Sequence, residues 1–396
     1  MSDFEANRAG MTRRNLIAGS ALLALPLLTG ACSGAEGADL SDLPIPDGSL
    51  RQRAERKGLL IGAQLDPPEA QDKRTRAAMS DYNVLVPGNG FNWTRVQPEQ
   101  NGPLHFEQAR PIIDLARSTG ALIRLHNLHY DKTTPAWVKA AVAAATPAQA
   151  GKLLENHIRE VLKPWGAAVA HINVVNEPEY GIGRPFRPDT FGDKIGEEYF
   201  DIAFHTAREC APQAVLFTNI AVVEQVGRRY DNARRGALGL HDRLLRRGVP
   251  IDAVGIEGHL DSVYAFDATL YAGFLTELAS RDLGILITEF DVIDTAFPAD
   301  PVRRDIESAH LLEDFLTTSF ANPKCMGACT WSPANKFAWL VTDRTLARPD
   351  GAPRRPGLLD TNYRRTRLWG AVARALDRAA PRSMAVRAGA RSRQTP

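Results

Sequence analysis

The spacing of apolar positions changes period repeatedly along this chain. Short runs rich in Val, Ile, Leu and Ala, the pattern of strands buried on both faces, occur at 59–65, 84–88, 122–128, 171–177, 215–220, 253–259, 284–291 and 325–331. The segments between them carry apolar residues at helical spacing. Thr146-Pro147 supplies an N-cap and a proline for the first helical position, and Leu153, Leu154, Ile158, Val161 and Leu162 make one apolar face before Pro164. Phe106, Ile112, Ile113, Leu115 and Ala116 form a second stripe that stops at Gly120. Ile306, Leu311, Leu312, Phe315 and Leu316 form a third, ahead of the last strand. Eight strands with helical crossovers and no internal break predict an α/β protein, a single-domain (β/α)8 (TIM) barrel rather than an open doubly wound sheet. No glycine-rich phosphate loop follows any of the runs, which argues against nucleotide binding.

The ends of the chain fall outside this pattern. Residues 1–31 read as an export signal, because Arg8, Arg13 and Arg14 precede an apolar run from Leu16 to Ala31 that is too short to span a bilayer comfortably. The string Thr12-Arg13-Arg14-Asn15-Leu16 resembles a twin-arginine signal. Cys32 follows Leu28-Thr29-Gly30-Ala31 and resembles the acylated cysteine of a lipoprotein, which would tether the protein to a membrane; simple cleavage near small residues fits as well. The protein is thus expected to be exported, to the periplasm, the cell envelope or the medium. Residues 32–50, rich in Gly, Asp and Pro, read as a linker, 51–376 as the barrel, and 377–396 as a disordered basic tail.

Composition adds little and excludes some classes. With 44% hydrophobic and 24% charged residues, the 396-residue chain has the makeup of a soluble globular protein with a large core. The net charge is +2; setting aside +4 in the tail and +1 in the leader leaves about −3 for residues 32–376, so no basic face for nucleic acid is expected. Of four cysteines, Cys325 and Cys329 lie on one predicted strand at a separation of about 13 Å, too far for a disulfide. With Cys210 isolated, neither a structural disulfide nor a metal site is expected, and no cofactor is implied.

Chemistry in such barrels sits where the strands end. The fourth run ends in Val174-Val175-Asn176-Glu177 and the seventh in Ile287-Thr288-Glu289-Phe290-Asp291. One glutamate near a strand end is ordinarily a salt-bridge partner. Two, each after a β-branched run, place two carboxylates on one crevice.

These segments, in this order, resemble glycoside hydrolase family 10, the retaining endo-β-1,4-xylanases, over about residues 59–376. Asn176-Glu177 is similar to the family's Asn-Glu pair, and the resemblance implies that Glu177 is the acid/base. Ile287-Thr288-Glu289-Phe290-Asp291 is similar to the segment of the nucleophile, implying Glu289. Trp331 and Trp339, with Lys336 between, match two tryptophans that wall the sugar at the cleavage point. His126 and His259 match two site histidines, and Asn89 and Trp93 resemble the segment after the second strand. The resemblance implies double displacement, with one carboxyl protonated and one ionised. It further implies that Asn176 binds the sugar 2-hydroxyl and that His259 and Asp291 hold Glu289 ionised. The substrate implied is a polysaccharide or oligosaccharide, xylan foremost.

The departures from the family lie around these groups. Pro87-Gly88-Asn89-Gly90-Phe91-Asn92-Trp93 has Gly88 and Asn92 where the family has a sugar-gripping Glu and Lys. Tyr130 and Asp131 stand in place of Trp-His, Glu257 in place of a glutamine, and Thr218-Asn219-Ile220 in place of Asn-Asp-Tyr. Both carboxylates are kept while the distal sugar contacts are rewritten. Another β-glycan cleaved by the same mechanism, or a carbohydrate-binding barrel without catalysis, are the alternatives to xylan hydrolysis.

Overall fold

The computed structural model describes residues 44–178 and 188–383. The expected export signal, the Cys32 anchor and residues 384–396 of the tail lie outside these residues. The strands are β1 (Leu60–Leu65), β2 (Val84–Pro87), β3 (Leu122–His129), β4 (His171–Asn176), β5 (Val215–Ile220), β6 (Ala253–Ile256), β7 (His259–Asp261), β8 (Gly284–Ile293) and β9 (Cys325–Thr330). All their pairings are parallel. Neighbours run in sequence from β1 to β6, β6 pairs with β8, and β9 returns to β1 through Leu60 opposite Gly327, so eight strands close a barrel.

Two apolar layers hold it together. Inside lie Leu60, Val84, Val86, Val215, Phe217, Leu286, Met326 and Cys329. The space there is filled: a Cβ at Gly62 would lie 2.4 Å from Cys329 Sγ. Outside, helix Pro147–Leu162 buries Leu154, Ile158, Val161 and Leu162 against the sheet. Full burial of each such side chain contributes about 1.5–3 kcal/mol. Its start is a capping box: Gln149 N donates to Thr146 Oγ1 (3.3 Å) and Thr146 N to Gln149 Oε1 (2.9 Å). Helix Arg110–Thr119 ends at Gly120, whose φ of 65° lets the chain turn in the left-handed region. Cys210, Cys325 and Cys329 are free thiols, and burial pushes the two strand thiols up to about 11.

Three boundaries differ from the sequence reading. The sixth strand does not run unbroken to residue 259. It stops at Ile256, and Gly258, at φ 81°, turns the chain so that His259 restarts as β7 opposite Asp291. The linker ends earlier than 50: Ser49 caps helix Leu50–Lys57, and Arg365 donates to the carbonyls of Pro46 (3.3 Å) and Gly48 (2.5 Å). The final helix, Arg367–Arg378, continues past 376, where Arg374 and Arg378 both bond the buried Glu313. Beyond it Arg382 donates to the carbonyls of Phe320, Asn322 and Cys325, at the foot of β9. Arg378 and Arg382 are structural because carbonyls at a helix end and a buried carboxylate offer them acceptors that composition does not disclose.

Ending the chain at Leu376 therefore removes the Arg378 ion pair and the Arg382 contacts. Arg378 is half exposed and its pair contributes little, so the loss should be about 1.5–3 kcal/mol, the value of the charged hydrogen bonds of Arg382. The expected result is a lower urea midpoint with little change in slope; an unchanged midpoint would show that these contacts add nothing.

Candidate active site

The carboxyl-terminal ends of β3, β4, β5, β6 and β8 converge on Glu289. Its carboxylate is buried in the barrel mouth. Asn219 Nδ2 donates to Glu289 Oε1 at 2.8 Å, and His126 Nδ1 lies 3.4 Å from the same oxygen. Oε2 faces His259 Nε2 at 3.6 Å, and the other ring nitrogen of His259 bonds Asp291 Oδ1 at 2.8 Å. Asp291 is held in turn by Ser332 Oγ (3.2 Å) and Trp339 Nε1 (2.7 Å). Trp331 and Trp339 stand edge-on to the two histidines, with ring centroids 5.0 Å from His126 and 5.3 Å from His259.

The electrostatics of this cluster follow from burial opposed by charge. Burial pushes the Glu289 carboxyl up, but His126, the bond and charge of His259, and Arg124 together outweigh it and hold the group below its ordinary value. His126 is itself pushed down to about 4 by burial, so its charge bears on Glu289 only in the acidic range, and near neutral pH the positive charge beside Glu289 is that of His259 and Arg124. Burial also pulls His259 down, yet the charge and hydrogen bond of Asp291, the bond to Glu289 and the charge of Glu257 raise it well above its ordinary value. His259 is therefore the local cation, set between two carboxylates.

Asn219 ties the cluster to the second carboxylate. Its carbonyl accepts the Glu177 backbone N–H at 2.7 Å, while Nδ2 also reaches Asn176 Oδ1 at 3.0 Å and Glu257 Oε1 at 3.3 Å. Its own Oδ1 accepts from Thr288 Oγ1 at 2.5 Å. Room for it comes from Gly255, where a Cβ would lie 2.6 Å from Asn219 Oδ1. Asn176 Oδ1 also accepts from Asn173 (2.6 Å), which leaves Asn176 Nδ2 as its remaining donor.

Glu177 follows β4 directly and has φ 48°, a left-handed conformation that costs a non-glycine residue about 1–3 kcal/mol. The turn carries its side chain to the loop after β3. There Tyr130 Oη donates to Glu177 Oε1 at 2.5 Å, and Lys132 Nζ to Oε2 at 3.0 Å. Asp131 faces the other way, accepting from Thr190 N (2.8 Å) and Oγ1 (2.5 Å).

The segment after β2 is arranged differently from the sequence reading. Asn89 is exposed and accepts from Asn92 Nδ2 at 2.8 Å. Trp93 is core, 1% exposed and stacked on His157 at 3.6 Å. Gly88 is not a gap awaiting a carboxylate, since a Cβ there would lie 2.2 Å from Gln64 Nε2 and 2.6 Å from Asp66 Oδ1. Lys336, after β9, pairs at 2.7 Å with Asp72, which follows the neighbouring strand β1.

Residues 49–375 match the model of glycosyl hydrolase family 10. The chain belongs to that family. It is 27% identical over 297 residues to endo-1,4-beta-xylanase A of Phanerodontia chrysosporium, covering 74% of this chain and 69% of that protein. It is equally 27% identical over 330 residues to endo-1,4-beta-xylanase B of Thermotoga neapolitana, covering 81% and 88%. Among solved structures, native xylanase 10B from Thermotoga maritima has the same fold, with a TM-score of 0.73 at 23% identity over 83% of this chain and 98% of that one.

In this family 10 glycoside hydrolase, several residues of the mouth escape sequence reading. Asn219 was visible as a departure at the end of β5, where an amide in an apolar strand, at the level of Asn176, was the signal. Lys132 carried none, because only the short turn Asp131–Thr133 directs it to Glu177. Arg124 was detectable as a cation within an apolar strand; it is fully buried and donates to Thr288 O at 2.9 Å. Among the described residues, no group of three or more His, Cys, Asp or Glu is arranged to hold a metal ion.

The signs of these shifts give a test. Glu289, lowered, stays ionised below the usual glutamate range, and its contribution is lost as pH falls through its folded value. His259, raised, stays charged through neutrality, and its contribution is lost as pH rises through its own. With His259→Asn, burial of Glu289 is less opposed, so the acidic limb of kcat/KM should move to higher pH. A dinitrophenyl β-xylobioside, whose leaving group needs no proton, isolates that limb; if it stays in place, His259 does not hold Glu289 ionised.

Proposed function

We propose that this hydrolase cleaves β-1,4-linked xylan or xylo-oligosaccharides by double displacement, with Glu289 as nucleophile and Glu177 as acid/base. The observation that carries the reading is the tie through Asn219, which anchors the Glu177 backbone and one Glu289 oxygen at once. The endo-1,4-beta-xylanase names of the relatives support xylan as the substrate class.

In the first step the Glu289 carboxylate attacks the anomeric carbon while Glu177 gives its proton to the departing glycosidic oxygen. A glycosyl ester forms and the aglycone leaves. Tyr130 and Lys132 occupy both Glu177 oxygens, so one of them yields its place when the glycosidic oxygen arrives. Asn176, with its oxygen engaged, has its Nδ2 for the sugar 2-hydroxyl. In the second step Glu177 takes a proton from water, the water oxygen attacks the anomeric carbon, and Glu289 leaves with net retention. Trp331 and Trp339 would wall the sugar over His126 and His259, and the charged His259–Asp291 pair keeps Glu289 an anion until it attacks.

A second reading within the same mechanism, another β-glycan, is favoured by one observation: Gln64 and Asp66 fill the place that a sugar-gripping glutamate at position 88 would take. A screen over xylan, xylo-oligosaccharides and β-glucans separates the two substrates.

Azide tests the roles. Glu289→Ala should lose turnover and yield an inverted glycosyl azide. Glu177→Ala should lose about 10²–10⁴-fold on natural glycans, keep the first step on dinitrophenyl glycosides, and give an azide product of retained configuration. Near-normal hydrolysis of xylan by either variant, or one configuration in both rescue products, overturns the assignment.

We further propose that residues 1–31 direct twin-arginine export and that Cys32 is acylated. Replacing Arg13 and Arg14 by Lys should leave the protein in the cytoplasm, and the mature wild type should partition into detergent; normal export of the double variant contradicts the first reading, a wholly aqueous wild type the second. No helix among the described residues is long and apolar enough to cross a membrane.

A further inference from the structure

Side chains alternate in direction along β1. Leu60 lies in the inner layer of the barrel, and a Cβ at Gly62 would meet Cys329 Sγ and Val84 Cβ there. The same alternation turns Gln64 inward at the level of the mouth. On one side it is in register with Val86 of β2. On the other, Ala63 pairs with Thr330 of β9, so Trp331 follows at the height of Gln64. Gln64 is 5% exposed, and among the described residues its side chain makes no hydrogen bond, while its amide atoms keep contact with solvent. An amide placed this deep ordinarily has a bonding partner.

A second polar group stands beside it. Gln64 Nε2 and Asp66 Oδ1 lie 2.2 Å and 2.6 Å from one point, the place of a Cβ on Gly88, so the amide and the carboxylate are neighbours against the Gly88 backbone. Asp66 is fixed at the exit of β1 by its backbone N–H, which donates to Glu69 Oε2 at 2.7 Å. Gly88 admits the pair, because any side chain at that position would take its place. The order of strands decides what the pair can face. In the closed ring β1 and β9 lie across from β4 and β5, and Glu177 follows β4.

We propose, resting on the roles given above to Glu289 and Glu177, that Gln64 and Asp66 determine specificity for the sugar next to the cleaved one on its non-reducing side. Glu177 meets the leaving oxygen on the β4 side, so the leaving half of the glycan lies there and the preceding sugar runs past Trp331 to β1. The Gln64 amide donates through Nε2 and accepts through Oε1, and the Asp66 carboxylate accepts, a set that suits adjacent free hydroxyls of a pyranose. A sugar whose hydroxyls there are blocked by a branch is refused, because it leaves a buried amide unbonded.

The test compares kcat/KM of the full chain on dinitrophenyl β-xyloside and β-xylobioside, which differ by that sugar alone. Gln64→Met keeps the length of the side chain and removes its hydrogen bonds. It should lower kcat/KM on the xylobioside about 10- to 100-fold and leave the xyloside within about twofold. Equal losses on both, as from a purely structural defect, or no loss on the xylobioside, overturn the inference and leave the functional reading standing. A wild type that cleaves neither glycoside overturns that reading, and the inference with it. Should the variant fail to fold, crystals of Glu289→Ala with xylotriose decide: a sugar hydroxyl within hydrogen-bonding distance of the Gln64 amide supports the pair, and a bound sugar that leaves the amide untouched overturns it.

Discussion

Keeping one carboxylate ionised inside the mouth of an apolar barrel is the constraint on which the rest of this structure depends. Burial works against the charge of Glu289, and without compensation the group would take up a proton. Compensation comes from every side. Asn219 reaches it from β5, His126 from β3 and His259 from β7, with Asp291 behind His259 and Trp339 behind Asp291. Each partner fixes the next, so the position of the Glu289 oxygens is set by the Asn219 hydrogen bond and by the charge contacts of His126 and His259, which reach it across the barrel from different strands.

The fold meets this constraint by departing locally from regular structure. Gly258 breaks the sixth strand so that His259 can stand opposite Asp291. Gly255 clears the space that Asn219 occupies. Glu177 takes up a left-handed backbone at the end of β4, and the cost of that conformation is offset by its N–H bond to Asn219 O and by Tyr130 and Lys132 on its carboxylate. Irregularity is concentrated where the side chains must converge, while the strand bodies below remain regular and packed by Leu60, Val84, Phe217 and Leu286.

The same division appears in the charges. At the mouth, His259 sits between two carboxylates and every group has a partner that faces it. Around Asp294, a few residues further along the same chain, three buried arginines converge on one carboxylate, Arg354 at 2.8 Å and Arg348 at 3.5 Å from Oδ1 and Arg304 at 3.4 Å from Oδ2. Both clusters lie on the continuation of β8, so the strand that presents Glu289 is held by electrostatics at two levels.

What could be read in the sequence was whatever depends on residues near one another in the chain. The eight strands, the Thr146 cap, the helix stop at Gly120 and the carboxylates at the ends of β4 and β8 are local patterns, because period, capping and strand ends are set within a few residues. The reach of Lys132 to Glu177, the hub at Asn219, the core burial of Trp93, the filling of the space at Gly88 and the docking of Arg382 were decided only by tertiary structure. Each joins groups from different βα units, 45 residues apart for Lys132 and Glu177 and 70 for Asn219 and Glu289. Their meeting depends on barrel closure and strand register, and a hydrogen bond that exists only once the sheet has closed leaves no periodic trace in the chain that makes it.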